Sequence, residues 1–554
     1  MGKSNSKKIL IIGGVAGGAT AAARIRRLDE NAEITVLEKG PFVSFANCGL
    51  PYYISRDIQK RSKLLLQTPE GFYSRYRVTV KTNTEALEIQ RDKKKILVKS
   101  QNGDELLPYD KLILAQGGNP VMPQFSGISL EHVFKLWTIP DMDRIHKFID
   151  EKKPSKAVIA GGGFIGLEMA EALSARGIEV TLIELASQVM ITMDPEFGSM
   201  IKAGMQEKGI IVKTNVGLSS ILDTGITLND GTFIETNMVL LSIGVRPELT
   251  LAKSAGLEIG KSGGLVVDDK MRTSDQDIYA AGDMVEVINK VDGRKVRIPL
   301  AGPANRQGRI AGTNVLGGNM KYRGALGTSV VKLFDRTAAS TGLTEKAAIE
   351  AGFDTGVSYV LKDNHVTYFP GGKPLTLKIV YDKKTSRLLG GQAYGEAGVE
   401  KRIDVLATAL HGRMTLEDLT ELDLAYAPPY NSANDPVNIA AFIGLNHIEG
   451  YSPLKTPAQV ILEHKIGDSL ILDVRTLGEQ SKAPLTETLH IPADEIRDRL
   501  NEIPKDKTIY LMSKDGFLGH TSLQILKAEG YKNVFNIAGG YLVAQWFDGW
   551  NFNK

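Results

Sequence analysis

Twice in 554 residues the chain passes through the same short grammar: an apolar strand, a glycine-rich turn, a small-residue helix, a second strand and a terminal acid. The first copy is Ile9–Ile12, Gly13-Gly14-Val15-Ala16-Gly17-Gly18, a helix through Leu28, and a strand Ile34–Glu38. The second is Ala157–Ala160, Gly161-Gly162-Gly163-Phe164-Ile165-Gly166, a helix to about Arg176, and a strand Glu179–Glu184. Strand, crossover helix and parallel strand in this order dictate doubly wound α/β sheets with ligands at the carboxyl ends of the strands. The second turn matches G-x-G-x-x-G in full: Gly161 for the tight turn, Gly163 for backbone approach to a pyrophosphate, Gly166 for helix–strand packing. Amides at the helix start, from Phe164 and Ile165 onward, hold the anion. The first turn keeps the outer glycines and places Val15 where the middle one belongs, which predicts a looser phosphate approach. Glu38 and Glu184 stand where an acid accepts hydrogen bonds from ribose hydroxyls, and Glu184 would repel a 2′-phosphate. Two dinucleotide sites are expected, the second favouring NADH, with NADPH possible; the bland alternative is two ligand-free glycine turns.

Three more segments sharpen this. Thr273–Asp283 fits T-x6-[AG]-x-G-D, Leu112–Gly117 reads like an A-T-G strand with Gln116 for the threonine, and Ser242–Pro247 follows the second unit in the matching place. In this order the motifs resemble the pyridine nucleotide–disulfide oxidoreductase superfamily over residues 8 to about 444. The resemblance implies FAD on Gly13, Gly14, Val15, Ala16, Gly17, Gly18, Glu38, Ala115, Gly117, Gly282 and Asp283. It implies NADH on Gly161, Gly163, Phe164, Ile165, Gly166, Glu184 and Gly244.

Cys48 is the only cysteine, so no internal dithiol exists and any sulfur chemistry pairs it with an outside thiol. Where dithiol relatives carry Cys-x4-Cys, the second position here is Tyr53. A lone cysteine is ordinarily inert; a redox role needs a thiolate favoured by helix amides or cations. Peroxide reduction, oxygen reduction to water and mixed-disulfide or persulfide reduction compete. Ala16 stands where peroxidases of the group have a histidine, which weighs against the first. Ser44-Phe45-Ala46-Asn47-Cys48-Gly49-Leu50-Pro51-Tyr52, the Gly13–Arg27 segment and Tyr426-Ala-Pro-Pro-Tyr430 resemble the coenzyme A disulfide reductases. That resemblance implies a mixed disulfide between Cys48 and coenzyme A, coenzyme A contacts at Thr20, Arg24, Arg27, Ser44 and Asn47, and proton delivery by Tyr426 and Tyr368. A solvated helix face is the alternative for Arg24, Arg26 and Arg27, and Asn434 replaces a lysine common in the family. The family is homodimeric, with residues 327–444 at the interface and the Tyr426 segment reaching the partner's site. A water-forming NADH oxidase, or a non-catalytic redox sensor or scaffold, remains open.

The last hundred residues read as a separate α/β pattern, and Leu472–Arg475, His490-Ile-Pro492, the 512–520 loop and Gly539-Gly540-Tyr541 resemble a rhodanese domain. A working loop is C-x-x-G-x-R; here Ser513 replaces the nucleophile and Leu518 the arginine, so no sulfurtransferase activity is expected; Lys514 and His520 could hold an anion on the loop amides, but exposed loop residues are the safer reading. The expected layout is FAD-binding over 1–150 and 255–326, NAD(P)H-binding over 151–254, an α+β dimerisation domain over 327–444, a linker over 445–456 and a degenerate rhodanese-like domain over 457–554. A net charge of +3 gives no nucleic-acid footprint, and no metal-ligand spacing occurs. Lys7 and Lys8 before Ile9–Ile12 imitate a signal peptide, but the apolar run stops at Gly13. No apolar run of ~18 residues predicts a membrane span, and cysteine poverty fits a reducing cytoplasm.

Overall fold

Both glycine turns emerge from the carboxyl end of the middle strand of a five-stranded parallel sheet. The computed structural model describes residues 6–550 and Phe552. In the first sheet the order is Ile278–Ala280, Lys111–Leu114, Lys8–Ile12, Glu33–Leu37, Val78–Lys81. In the second it is Ile211–Lys213, Glu179–Ile183, Lys156–Ala160, Met238–Leu241, Val133–Phe134. Helices cover such sheets on both faces, which is why Ile9–Ile12 and Ala157–Ala160 are unbroken apolar runs, all buried. Gly13 and Gly161 lie at φ +97° and +110°, and a Cβ on Gly18 or Gly166 would sit 1.8 or 1.9 Å from the carbonyl oxygen of Gly13 or Gly161. Each turn therefore folds only with glycine at its first and last positions. Both second strands end one residue before the acids, whose amides still pair with the neighbouring strand through the Lys81 and Lys213 carbonyls.

By compactness the chain divides into Met1–Ser187 with Gly209–Gly327, and Gln188–Lys208 with Thr328–Lys554. The second unit is built on an antiparallel sheet in the order Ser329–Leu333, Arg336–Gly342, Leu388–Gly395, Pro374–Asp382, Thr355–Asp363. The segment 188–208, inside the range expected for NAD(P)H binding, is pinned to this sheet by a buried charge cluster. Lys378 is fully buried, with its Nζ 2.8 Å from Asp194, 2.7 Å from Glu196 and 2.8 Å from Glu345. Tyr359 donates its hydroxyl to Glu196 at 2.7 Å.

The same unit holds a second parallel sheet, ordered Leu454–Lys455, Val534–Ile537, Thr508–Met512, Ser469–Asp473, Thr488–His490. The connection into it is more ordered than the linker expected over 445–456: the helix Pro436–Ile448 enters it and the strand Leu454–Lys455 leaves it. His447 fastens the turn by accepting the Leu454 N–H at 2.9 Å on Nδ1. Burial and nearby Lys383 hold its imidazole down to about 4, so the ring stays neutral and able to accept.

Candidate functional site

The two nucleotide cradles repeat one arrangement. Glu38 accepts the Gly14 N–H and the Gly40 N–H, both at 2.9 Å, one on each oxygen. Glu184 accepts the Gly162 N–H at 2.7 Å and the Ala186 N–H at 2.8 Å in the same way. Each carboxylate is thereby fixed at the lip of its turn with lone pairs left for hydroxyl donors. The two helices that follow, Ala16–Leu28 and Phe164–Ala175, are N-capped by Val15 and Gly163 respectively. A Cβ on Gly163 would meet nothing within 4 Å, the open space that a pyrophosphate requires. At the first cradle, Gln116 Oε1 is buried without a protein partner, an acceptor left for a bound group. Beside it a Cβ on Gly282 would find only Ala304, at 3.9 Å, and burial pushes the Asp283 carboxyl up. An orphaned acceptor, open backbone and an acid at the end of the cradle fit FAD.

Cys48 lies on a segment stitched to that cradle. Ser44, at φ +46°, donates its N–H to the Gly14 carbonyl at 2.8 Å and accepts the Leu66 N–H at 3.0 Å. A single 3-10 turn, Asn47–Gly49, then presents the cysteine before the short helix Leu50–Ile54. Asn47 Oδ1 accepts the Cys48 N–H at 3.1 Å and faces Sγ at 3.7 Å. The side chain is exposed, as a partner from outside requires. Its titration departs from the expectation of a favoured thiolate: burial of the sulfur's surroundings, then Glu168, then Asp283, push the Cys48 thiol up. Burial and the two acids both oppose the thiolate, so the chain by itself favours the thiol.

Glu168 escaped the sequence reading. It follows Gly166 by two residues, and its carboxylate accepts the Tyr52 hydroxyl at 3.3 Å. Burial pushes it up to about 7, with Glu171 adding to the effect, and Tyr52 is pushed up to about 12 by burial and by Glu168. The glycine spacing fixes the helix that bears Glu168; only the tertiary approach of the Cys48 segment gives the acid its neighbour. A carboxyl half-protonated near neutrality beside a sulfur is suited to holding a proton.

A basic cluster grows from the first fingerprint helix. The helix Ala301–Asn314 packs against Ala16–Leu28 closely enough that a Cβ on Gly308 would stand 2.2 Å from the Gly17 carbonyl oxygen. That approach pairs Thr20 Oγ1 with Asn305 Oδ1 at 2.9 Å and Arg24 Nε with Thr313 Oγ1 at 3.0 Å. Desolvation, then Arg309 and Arg27, lower the Arg24 guanidinium, the mark of like charges gathered on one face. Such a group matches a polyphosphate. Asn305, Arg309 and Thr313 were not legible, since nearly three hundred residues separate them from Thr20 and Arg24. Arg26 is not a solvated residue: its guanidinium donates to the carbonyls of Tyr76, Asp29, Glu30, Ala32 and Arg77 and clamps the helix end.

In the second unit the structure brings Tyr368 and Tyr426 together, hydroxyl to hydroxyl at 2.9 Å. In the rhodanese-like module Ser513 is fully buried and accepts the Gly516 N–H at 2.9 Å, while Asp515 accepts the Phe517 N–H at 3.0 Å. The loop thus caps two of its amides with its own side chains, and burial holds the His520 imidazole down. Among the described residues no cluster of metal-ligating side chains occurs, and no helix is long and apolar enough to cross a membrane.

Comparison with known proteins gives three matches along the chain: pyridine nucleotide-disulphide oxidoreductase over residues 7–308, the dimerisation domain of that family over 328–435, and a rhodanese-like domain over 456–545. Coenzyme A disulfide reductase of Staphylococcus haemolyticus is 35% identical over 439 residues, covering 79% of this chain and 99% of its own. The reduced CoADR-RHD of Bacillus anthracis superposes with a TM-score of 0.96 at 40% identity, covering 100% of both chains. An NAD-dependent persulfide reductase from A. fulgidus gives a TM-score of 0.90 at 37% identity, covering 98% of this chain and 100% of its own.

Proposed function

The chain belongs to the pyridine nucleotide-disulphide oxidoreductase family and is an FAD-dependent oxidoreductase that uses NAD(P)H, and on that premise we propose that it reduces coenzyme A disulfide or coenzyme A persulfide through Cys48. One observation carries the reading: a single helix, Ala16–Leu28, starts at the FAD cradle and bears Thr20, Arg24 and Arg27, while the Cys48 segment is bonded back to the same turn through Ser44. A thiol with a polyphosphate tail can lay its charge on Arg24, Arg27 and Arg309 and extend its sulfur toward Cys48. The Staphylococcus reductase and the persulfide reductase support that substrate class.

The Cys48 thiolate attacks one sulfur of the substrate, the S–S bond breaks, and the departing thiolate, or hydrosulfide from a persulfide, takes up a proton. FAD, held on the Gly13–Gly18 turn with Glu38 and Asp283, would supply the two electrons of NADH that reduce the new Cys48 mixed disulfide to coenzyme A and the Cys48 thiolate. Glu168 holds a proton beside the sulfur, and Asn47 accepts the thiol hydrogen before attack. Glu184 orients the NADH ribose and disfavours NADPH. In a homodimer formed through the dimerisation domain, the Tyr368–Tyr426 pair of one protomer donates to the leaving thiolate at the Cys48 of its partner. The rhodanese-like module transfers no sulfur, and the reducing cytoplasm is the fitting compartment.

Replacing Arg309 by Ala raises KM for coenzyme A disulfide about tenfold with little change in kcat, because a charge-assisted phosphate contact formed before and during reaction is lost. Steady-state kinetics at two salt concentrations check this; an unchanged KM assigns the tail elsewhere. Glu168→Gln speeds alkylation of Cys48 by iodoacetamide at pH 8 about three- to tenfold, since removing an anion shifts the thiol by up to about one pKa unit. The sign follows from Glu168 being ionised above about 7, where its charge opposes the thiolate; equal alkylation rates would contradict it.

A further inference from the structure

Arg402 is 1% exposed, and the chemistry above gives it no part. It stands in the first turn of the helix Val399–Gly412 with its guanidinium fully engaged. Nε donates to Asp435 at 3.1 Å, Nη1 to the Gly398 carbonyl at 3.2 Å, and Nη2 to the Asn364 carbonyl and to Asn431 Oδ1, both at 2.9 Å. A Cβ on Gly398 would lie 2.1 Å from Nη1, so the guanidinium fills the space that glycine leaves. Asn431, also fully buried, turns its other atoms to the same two loops. Its Nδ2 donates to the Ala425 carbonyl at 3.2 Å, its N–H to the Ala427 carbonyl at 3.2 Å, and its own carbonyl accepts the Val366 N–H at 3.3 Å.

These partners flank the tyrosine pair on both sides. Asn364 and Val366 lead into Tyr368; Ala425 and Ala427 bracket Tyr426. The tyrosines are 73% and 46% exposed, yet their hydroxyls meet at 2.9 Å across 58 residues of sequence. Two mobile phenols on independent loops would lose that contact to conformational freedom; two loops tied to one buried guanidinium and one carboxamide keep it.

We propose that Arg402 and Asn431 are positioning residues, which lock the Tyr368 and Tyr426 loops together so that the two hydroxyls act as one hydrogen-bonded donor. One phenol donates to the other, and the remaining O–H, strengthened by that chain, is aimed at the leaving thiolate. This rests on the reading above that the pair serves the sulfur chemistry.

Removing Arg402 would strand the buried Asp435 carboxylate, so the test falls on Asn431 in the holoenzyme. Asn431→Ala lowers kcat for coenzyme A disulfide about 10- to 100-fold, as a misplacement of about 1 Å does. The rate of flavin reduction by NADH, read by stopped-flow absorbance, stays at the wild-type value. Asn431→Asp keeps an acceptor for Arg402 and gives an intermediate kcat; it also serves if the alanine variant does not fold. In a Tyr426→Phe background Asn431→Ala costs nothing further. Wild-type kcat in a folded Asn431 variant, or losses that simply multiply in the double variant, would overturn the proposal. Wild-type kcat in Tyr426→Phe alone would instead overturn the assignment of the tyrosine pair, and this proposal with it.

Discussion

Cys48→Ser lowers turnover of coenzyme A disulfide by roughly 10³-fold or more while the protein still binds FAD and is still reduced by NADH. The effect is large because the chain has no second cysteine to take over, and a hydroxyl neither attacks a disulfide sulfur nor forms a mixed disulfide. The half-reaction with NADH survives because the thiol faces Asn47 Oδ1, an acceptor that a serine hydroxyl can also use. The FAD cradle is tied to the segment through Ser44, which the substitution leaves in place. Stopped-flow reduction followed by turnover with coenzyme A disulfide separates the two halves. Retained turnover would mean that electrons leave the flavin by another route.

Lys378→Met destabilises the second unit by about 3–5 kcal/mol at pH 7. Lys378 is fully buried, and it forms the ion pairs of Asp194 and Glu196, which are exposed by only 3% and 1%. Attraction to these acids holds the Lys378 ammonium well above its ordinary range despite burial, whereas burial raises the Glu196 carboxyl. Without the ammonium, the acids keep their desolvation cost and repel one another. Raised carboxyls bind protons more readily in the folded than in the unfolded state, so the defect is full near neutrality and shrinks as pH falls toward about 4. Guanidinium titrations at pH 7 and pH 5 check both statements, and adding Glu196→Gln to the variant recovers part of the loss. A loss below about 1 kcal/mol at pH 7 would mean that water reaches the cluster.

Much of the nucleotide-binding unit was legible because its constraints are local. Gly13 with Gly18, and Gly161 with Gly166, are steric requirements within six residues of chain, and any sequence obeying them announces the turn. Glu38 and Glu184 stood out for the same reason, though the strands stop one residue before them. What stayed hidden depends on surfaces meeting. In the strand Pro374–Asp382, Lys378 breaks an apolar run and reads as a solvent-facing position until the segment 188–208 covers it. Asn305 and Arg309 join Thr20 and Arg24 only through the close packing that Gly308 permits. The rise of the Cys48 thiol was unreadable because it comes from Glu168 and Asp283, remote in sequence and near in space. Arg26 looked like its neighbours Arg24 and Arg27, and helical phase alone turned it inward to five carbonyls.

The most direct test is intact-protein and peptide mass spectrometry after the oxidised holoenzyme meets coenzyme A disulfide without NADH. The expected result is an increment of one coenzyme A per chain, located on the Cys48 peptide and released by NADH as free thiol. An unmodified cysteine, or oxygen added to sulfur in place of the thiol, would contradict it.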